Sequence, residues 1–184
     1  MQELWQLYTE DRKPIQGKGA DKDSIYSQGL LHGAAHVWIW RKKNGQLEVL
    51  LQKRASSKRT WPNMMDISAA GHIDLGETPE KAAIRETVEE LGLEFNTEQL
   101  QLVEVHRMNM AVDEINTENE FRWVYIAELK EDSNMNLQKS EVSSIIWLPL
   151  KEFEAGVLPN NGQYVPQGDD YFRILLQALK QQAT

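Results

Sequence analysis

The 184-residue chain contains no cysteine, which excludes disulfides, thiolate metal sites and a cysteine nucleophile. No apolar run approaches the roughly 20 residues that a membrane helix needs. The opening stretch, MQELWQLYTEDRK, has no basic segment leading into an apolar one, so neither a membrane association nor a secretory leader is expected. Positive charge is scarce: 20 Lys and Arg stand against 28 Asp and Glu, a formal net charge of −8. A nucleic-acid polymer is therefore not the expected partner, since its binders carry basic surfaces. Internal repeats and low-complexity linkers are also missing. What remains is a chain 41% hydrophobic and 26% charged, which suits one soluble domain over residues 1–184 with a substantial core. A reducing cytoplasm is the expected compartment, and a monomer or homodimer the expected state. An acidic chain that handles phosphates needs a cation to bridge like charges.

The pattern along the chain is that of a mixed α/β domain. Leu4 to Tyr8 reads as a short strand and Lys13 to Gln28 as a loop. Ala34 to Arg41 and Leu47 to Arg54 are apolar, β-prone runs joined by Lys42-Lys43-Asn44-Gly45, and Asn-Gly between two such runs signals a hairpin. Met65 to Ala70, Leu100 to Met110, Phe121 to Leu129 and Ile145 to Leu148 read as further strands. The pattern turns helical from Thr78 to Leu91, with Thr78 as N-cap, Pro79 in the first turn and Gly92 as the stop. Pro149 opens a short helix to Phe153. Asp169 to Gln181 is an amphipathic helix with Phe172, Leu175, Leu176 and Leu179 on one stripe.

The segment Gly71 to Leu93, GHIDLGETPEKAAIRETVEELGL, carries the chemistry. On a helix Glu86, Glu89 and Glu90 stand at i, i+3 and i+4. Like charges so placed repel, and a hard divalent cation with oxygen ligands relieves the repulsion. Most Glu-rich helix faces are merely solvated, so charge alone decides little. Arg85 lies one residue off the cluster, and Glu77, just before the helix, is placed to pair with it. Ile84, Val88 and Leu91 read as the side that packs on a sheet. Ala82 and Ala83 read as small residues on the carboxylate side.

The spacing resembles the Nudix box, G-x5-E-x7-R-E-U-x-E-E-x-G-U, with U a bulky aliphatic residue. Gly71, Glu77, Arg85, Glu86, Glu89, Glu90, Gly92 and Leu93 fall on the pattern, and only Thr87 departs from it. The resemblance implies the Nudix fold, a mixed β-sheet sandwiched between α-helices. It implies Mg²⁺ (or Mn²⁺ in its place) held by Glu86, Glu89 and Glu90 with the Gly71 carbonyl as a further ligand. It also implies Arg85 and Glu77 as a buried pair that positions the loop and helix. The reaction it implies is hydrolysis of a diphosphate linkage in a nucleoside diphosphate derivative or similar small phosphorylated metabolite, in which the cation polarises the diphosphate and a carboxylate takes the proton of the attacking water.

Three other segments resemble the branch containing isopentenyl-diphosphate isomerase: Leu30 to Trp40, Gln52 to His72 and Thr117 to Leu129. By that resemblance His32 and His72 match two metal histidines, and Glu118 and Glu120 match a downstream acidic pair. Ala70 stands where the isomerase cysteine would be, and Ile25 where another histidine is expected. Without the thiol one acid/base partner of alkene isomerisation is missing, so the reading is a hydrolase with isomerase-like features. An isomerase is the first alternative. A non-catalytic nucleotide sensor is the second, and three crowded carboxylates speak against it.

Outside the box, Glu120 opens a predicted strand and reads as a metal ligand or base on the opposite wall, with a strand-edge charge as the plain alternative. Arg54, at a strand end, reads as a phosphate contact, because guanidinium binds phosphate through two donors. Lys58 and Arg59 are as easily solubilising charges. Trp61, flanked by Thr60 and Pro62, reads as a pocket-lining residue, and His72 and His32 as substrate contacts. His36, inside an apolar run, reads as a hydrogen-bonded structural residue, and Trp38 and Trp40 as core.

Overall fold

The computed structural model describes residues 3–111, 113–130 and 134–183. The chain begins with strands β1 (Trp5–Tyr8) and β2 (Pro14–Ala20), then helix α1 (Lys22–Gln28). Strands β3 (His32–Lys43), β4 (Gln46–Arg54), β5 (Met65–Asp66) and β6 (Ala69–His72) lead to helix α2 (Pro79–Leu91). After a single 3-10 turn at Thr97–Gln99 come β7 (Gln101–Ala111), β8 (Thr117–Glu128) and β9 (Val142–Pro149). Helices α3 (Leu150–Val157) and α4 (Asp169–Gln182) close the chain.

Strand β3 is the hub of a mixed sheet. It pairs antiparallel with β4 beyond Trp40 and with β6 over Ala34–Val37, and parallel with β8 from His32↔Glu120 to Trp40↔Glu128. The Asn44-Gly45 turn joins β3 to β4 as expected, with Asn44 at φ 50° and Gly45 at φ 77°. Because side chains alternate across a strand, Ala35, Val37 and Ile39 pack on the α2 side. Trp38 and Trp40 pack on the other side with Phe153, Phe172, Leu175 and Leu179 from α3 and α4. Helices therefore cover both faces of the sheet, the layering that two apolar faces require. Among the described residues no helix is long and apolar enough to cross a membrane.

Three local expectations are corrected. The stretch Lys13 to Gln28 is not a loop: Pro14–Ala20 pairs with β1, and α1 follows with Asp21 as its N-cap and Gly29 as a left-handed C-cap. Met65 to Ala70 is two short strands rather than one. In α2 the sheet-facing side is Ala82, Ala83, Thr87, Glu90 and Leu91. Val88, assigned to that side from the sequence, is 39% exposed. The alanines let the helix approach β3 and β6 closely, which turns the glutamate cluster to the margin of the packed face.

Candidate active site

Helix α2 starts and stops as its sequence directs. The Thr78 side chain accepts the Lys81 amide, and Gly92, at φ 69°, returns its own amide to the last turn. Thr87, the one departure from the aliphatic pattern, is fully buried, and its hydroxyl donates to the Ala83 carbonyl at 2.7 Å. A polar atom is thus satisfied within the helix, as buried hydroxyls must be.

Arg85 ties the loop of residues 72–77 to the helix. Its Nε and Nη2 donate to the two oxygens of Glu77 at 3.1 and 2.9 Å, Nη2 donates to the His72 carbonyl at 2.9 Å, and Nη1 reaches Glu86 Oε1 at 2.5 Å. Glu77 in turn accepts the Asp74 amide. The two-pronged guanidinium–carboxylate bond fixes orientation as well as charge. The side chains of Glu77 and Glu86 are mostly buried and that of Glu89 is half exposed. Glu90 is only 5% exposed and accepts from Gln52 Nε2 and the Ala70 amide, each at 3.1 Å. Burial pushes the Glu86 carboxyl up to about 7, against the nearby Arg85 charge. Burial, then the Glu86 charge, pushes Glu90 up to about 8. These are carboxylates that water no longer stabilises and that a cation would. A Cβ at Gly71 would collide with the Glu86 carboxylate, so only glycine lets β6 pass beneath it.

A second group lies on the facing wall. Strand β8 begins at Thr117, earlier than its apolar run suggests, so Glu118 and Glu120 sit within it, Glu120 opposite His32 of β3 and Glu118 opposite Met110 of β7. One ligand atom from each of His32, His72, Glu118 and Glu120 lies within 4.8 Å of the others. His32 Nε2 stands 3.3 Å from Glu118 and 3.5 Å from Glu120, yet Nε2 and Glu118 Oε1 are buried without a hydrogen bond. Burial alone would depress the His32 imidazole, but the two carboxylates outweigh it and raise it to about 9. Buried nitrogen and oxygen atoms that converge without hydrogen bonds fit a divalent cation that would take the place of the His32 proton. Trp5 braces the group: its indole stacks on His72 with centroids 3.4 Å apart and lies over His32 at 5.6 Å.

Both groups open into one cavity of about 940 Å³. Arg54, Trp61, Gly71 and His72 also line it. Arg54, however, has its fork occupied: Nη1 donates to Asp66 at 2.8 Å, and Nε and Nη2 to the Thr60 carbonyl. It shapes the loop that carries Trp61, which is 41% exposed with φ 52°. Lys58 pairs with Glu141. Trp38 and Trp40 are core, as expected. Sequence reasoning passed over Arg122, which is buried, donates from Nε to Glu120 and from Nη1 to Gln167 Oε1 at 2.7 Å. Its place two residues after Glu120 on the same strand face was the available signal. Trp5 had no such signal, because its stack depends on β1 lying against β3.

Residues 30–168 match the NUDIX domain family. A Nudix hydrolase of Listeria monocytogenes is 34% identical over 164 residues, covering 89% of each chain. Nudix hydrolase 3 of Arabidopsis thaliana is 33% identical over 82% of this chain, which spans only 20% of that protein. Isopentenyl-diphosphate Delta-isomerase 2 of Photorhabdus laumondii is 29% identical, over 84% of this chain and 82% of its own. Among solved structures, DR0079 of Deinococcus radiodurans superposes with a TM-score of 0.65 at 20% identity, over 97% of this chain and 98% of that one. The NUDIX domain of Shewanella oneidensis NrtR, complexed with ADP ribose, superposes with a TM-score of 0.58 at 20% identity, over 83% and 88%.

Proposed function

The chain belongs to the Nudix hydrolase family, and from that premise we propose that it hydrolyses a diphosphate linkage in a small phosphorylated metabolite with the help of Mg²⁺. The observation that carries this reading is the single cavity lined by Glu86, Glu89 and Glu90 together with His72, Glu118 and Glu120, the last three grouped with the buried His32. Both groups are donor sets a hard cation would use, and such a cation supplies charge neutralisation for the diphosphate oxygens. Arg85 and Glu77 hold the Gly71 wall and Glu86 in place.

The base is Glu86. In the metal-free protein burial raises its pKa to about 7, the range that suits proton transfer near neutrality, and Arg85 holds its Oε1. Glu120 is the weaker base: its own burial raises it, but the Arg122 charge and His32 outweigh that and hold it well below the usual carboxylate range. In the reaction a water oxygen bonds to phosphorus, its proton passes to Glu86 and the bridging P–O bond breaks. The protein would act in the cytoplasm, as a monomer or homodimer.

The test is formation of the two phosphorylated products from a panel of diphosphates, ADP-ribose included, with Mg²⁺ and with excess chelator. Activity is expected to vanish in chelator and return with Mg²⁺ or Mn²⁺. Full activity in chelator would sink the mechanism. The likeness of the His/Glu group to the isomerase branch raises a second reading, isomerisation of isopentenyl diphosphate. Ala70 offers no acid or base there, so no dimethylallyl diphosphate is expected, and its formation would reverse the choice.

A further inference from the structure

His36 is tied to the core by one nitrogen only. Its Nδ1 lies 2.9 Å from the Tyr171 hydroxyl, which also accepts the Trp38 indole N–H at 2.8 Å. The indole can only donate, so the tyrosine proton is left to point elsewhere. His36 Nδ1 is its one acceptor among the described residues. That bond makes Nδ1 the acceptor and puts the imidazole proton on Nε2. His36 is 6% exposed and lines the cavity. Its Nε2 has no hydrogen-bond partner among the described residues.

Arg122 presents the same situation. Nε is spent on Glu120 and Nη1 on Gln167, whereas Nη2 has no partner among the described residues, and the side chain lines the same cavity. The strand register sets the two residues diagonally on one sheet face, Arg122 opposite Ala34 and His36 two residues on, opposite Val124. On the shared sheet face Arg122 lies next to Ala34, and His36 next to Ala70. These two neighbours are methyl-sized, whereas Val124 and His106 flank the pair on the other side. The subsite also adjoins both acidic groups, since the Ala70 amide binds Glu90 and Arg122 binds Glu120.

We propose that His36 and Arg122 form a donor-only subsite on the cavity floor that binds the outer phosphoryl group of the substrate. An N–H edge and a guanidinium cannot ligate a cation. They demand an oxygen acceptor, best an anionic one held by charge-assisted bonds. This rests on the reading that the cavity takes a diphosphate. It goes beyond that reading in assigning His36, a strand residue with every appearance of a packing role, to substrate binding. Specificity follows: compounds with a terminal phosphoryl group should be held more firmly than those whose diphosphate is substituted at both ends.

The test uses protein labelled with ¹⁵N-histidine, with Mg²⁺ and the non-hydrolysable methylenediphosphonate. Two-bond ¹H–¹⁵N spectra, assigned with His36→Gln, are expected to show the Nε2–H tautomer and a saturable shift of that Nε2 on titration. His36→Leu should weaken binding by about tenfold or more, the loss of one hydrogen bond to a charged group, and His36→Gln, which restores an N–H donor, should recover most of it. An Nδ1–H tautomer, or no Nε2 shift up to saturating ligand, overturns the subsite in the wild-type protein, whatever the variants do. A shift without turnover on any diphosphate would instead sink the hydrolase reading and leave the subsite standing.

Discussion

Each glutamate of the site has its own surroundings, and these separate their roles. Glu90 is buried between Gln52 and the Ala70 amide, and Glu86 is held by Arg85, whereas Glu120 is bound to Arg122 and faces His32. Replacing Glu90 or Glu89 by Gln keeps size and helix propensity but removes charge that a cation needs. Each change should lower kcat by on the order of 10²-fold, as loss of a key electrostatic group does, with the fold retained. Glu86→Gln and Glu120→Gln should differ in kind. If Glu86 is the base, its loss lowers kcat with KM nearly unchanged, and extra Mg²⁺ does not help. If Glu120 is a ligand, raising Mg²⁺ should recover part of its loss. Steady-state kinetics across Mg²⁺ concentrations decide this, and recovery of Glu86→Gln but not Glu120→Gln would exchange the two roles. The box glutamates were legible in the sequence, because their spacing along one helix is local. Arg122 and His36 were not read as site residues, because their roles depend on strand register and on Tyr171, 135 positions from His36.

Elements with strong punctuation were legible for the same reason. The hairpin was marked by Asn44-Gly45 and α2 by Thr78, Pro79 and Gly92, all of which act within a few residues. Strand β2 was not, since PIQGKGA lacks alternating apolar residues and, among the described residues, pairs only with β1. Helix α1 has seven residues, too few to display a period of 3.6. The C-cap of α2 gives a prediction at this scale. Gly92 sits at φ 69°, and a Cβ there would lie 3.0 Å from Asn136 Cβ and 3.1 Å from its amide nitrogen. A left-handed L-residue costs roughly 1–2 kcal/mol, so Gly92→Ala should lower Tm by about 2–8 °C for a chain of this size. Activity per folded molecule should persist at 25 °C, because Gly92 touches neither acidic group. An unchanged Tm would mean that the helix end relaxes at no cost.

At the scale of the whole molecule, the cavity concentrates buried acid within a chain already at net −8. The metal-free protein must hold that acid by keeping protons. Glu86 and Glu90 titrate from about 4.5 when unfolded, and burial raises them to about 7 and about 8 in the fold. His32, with an ordinary value of 6.5, is raised to about 9. In all three the folded state binds more protons than the unfolded chain between the two values, so the slope of stability against pH is negative there. The stability these protons confer is complete below the unfolded values and is lost as pH rises through the folded ones. Glu120 is shifted the other way, and its contribution is lost on acidification, below this window; burial also pushes His36 and His72 down, so the stability they add is lost as pH falls below about 6.5. In chelator, therefore, Tm should fall from about pH 6.5 to pH 9. Saturating Mg²⁺ binds the deprotonated ligands and takes over the protons' role, so the fall should shrink or reverse. Glu90→Gln supplies the internal control. An amide keeps acceptor and size but cannot ionise, so in chelator the variant should match wild type near pH 5 and exceed it above pH 8, while gaining less from Mg²⁺. Thermal melts of both proteins across that range, with and without Mg²⁺, measure all four curves. A wild-type Tm that stays level or rises toward pH 9 in chelator would show that the glutamates are not held protonated by burial. A cation in their place would then have no buried charge to relieve.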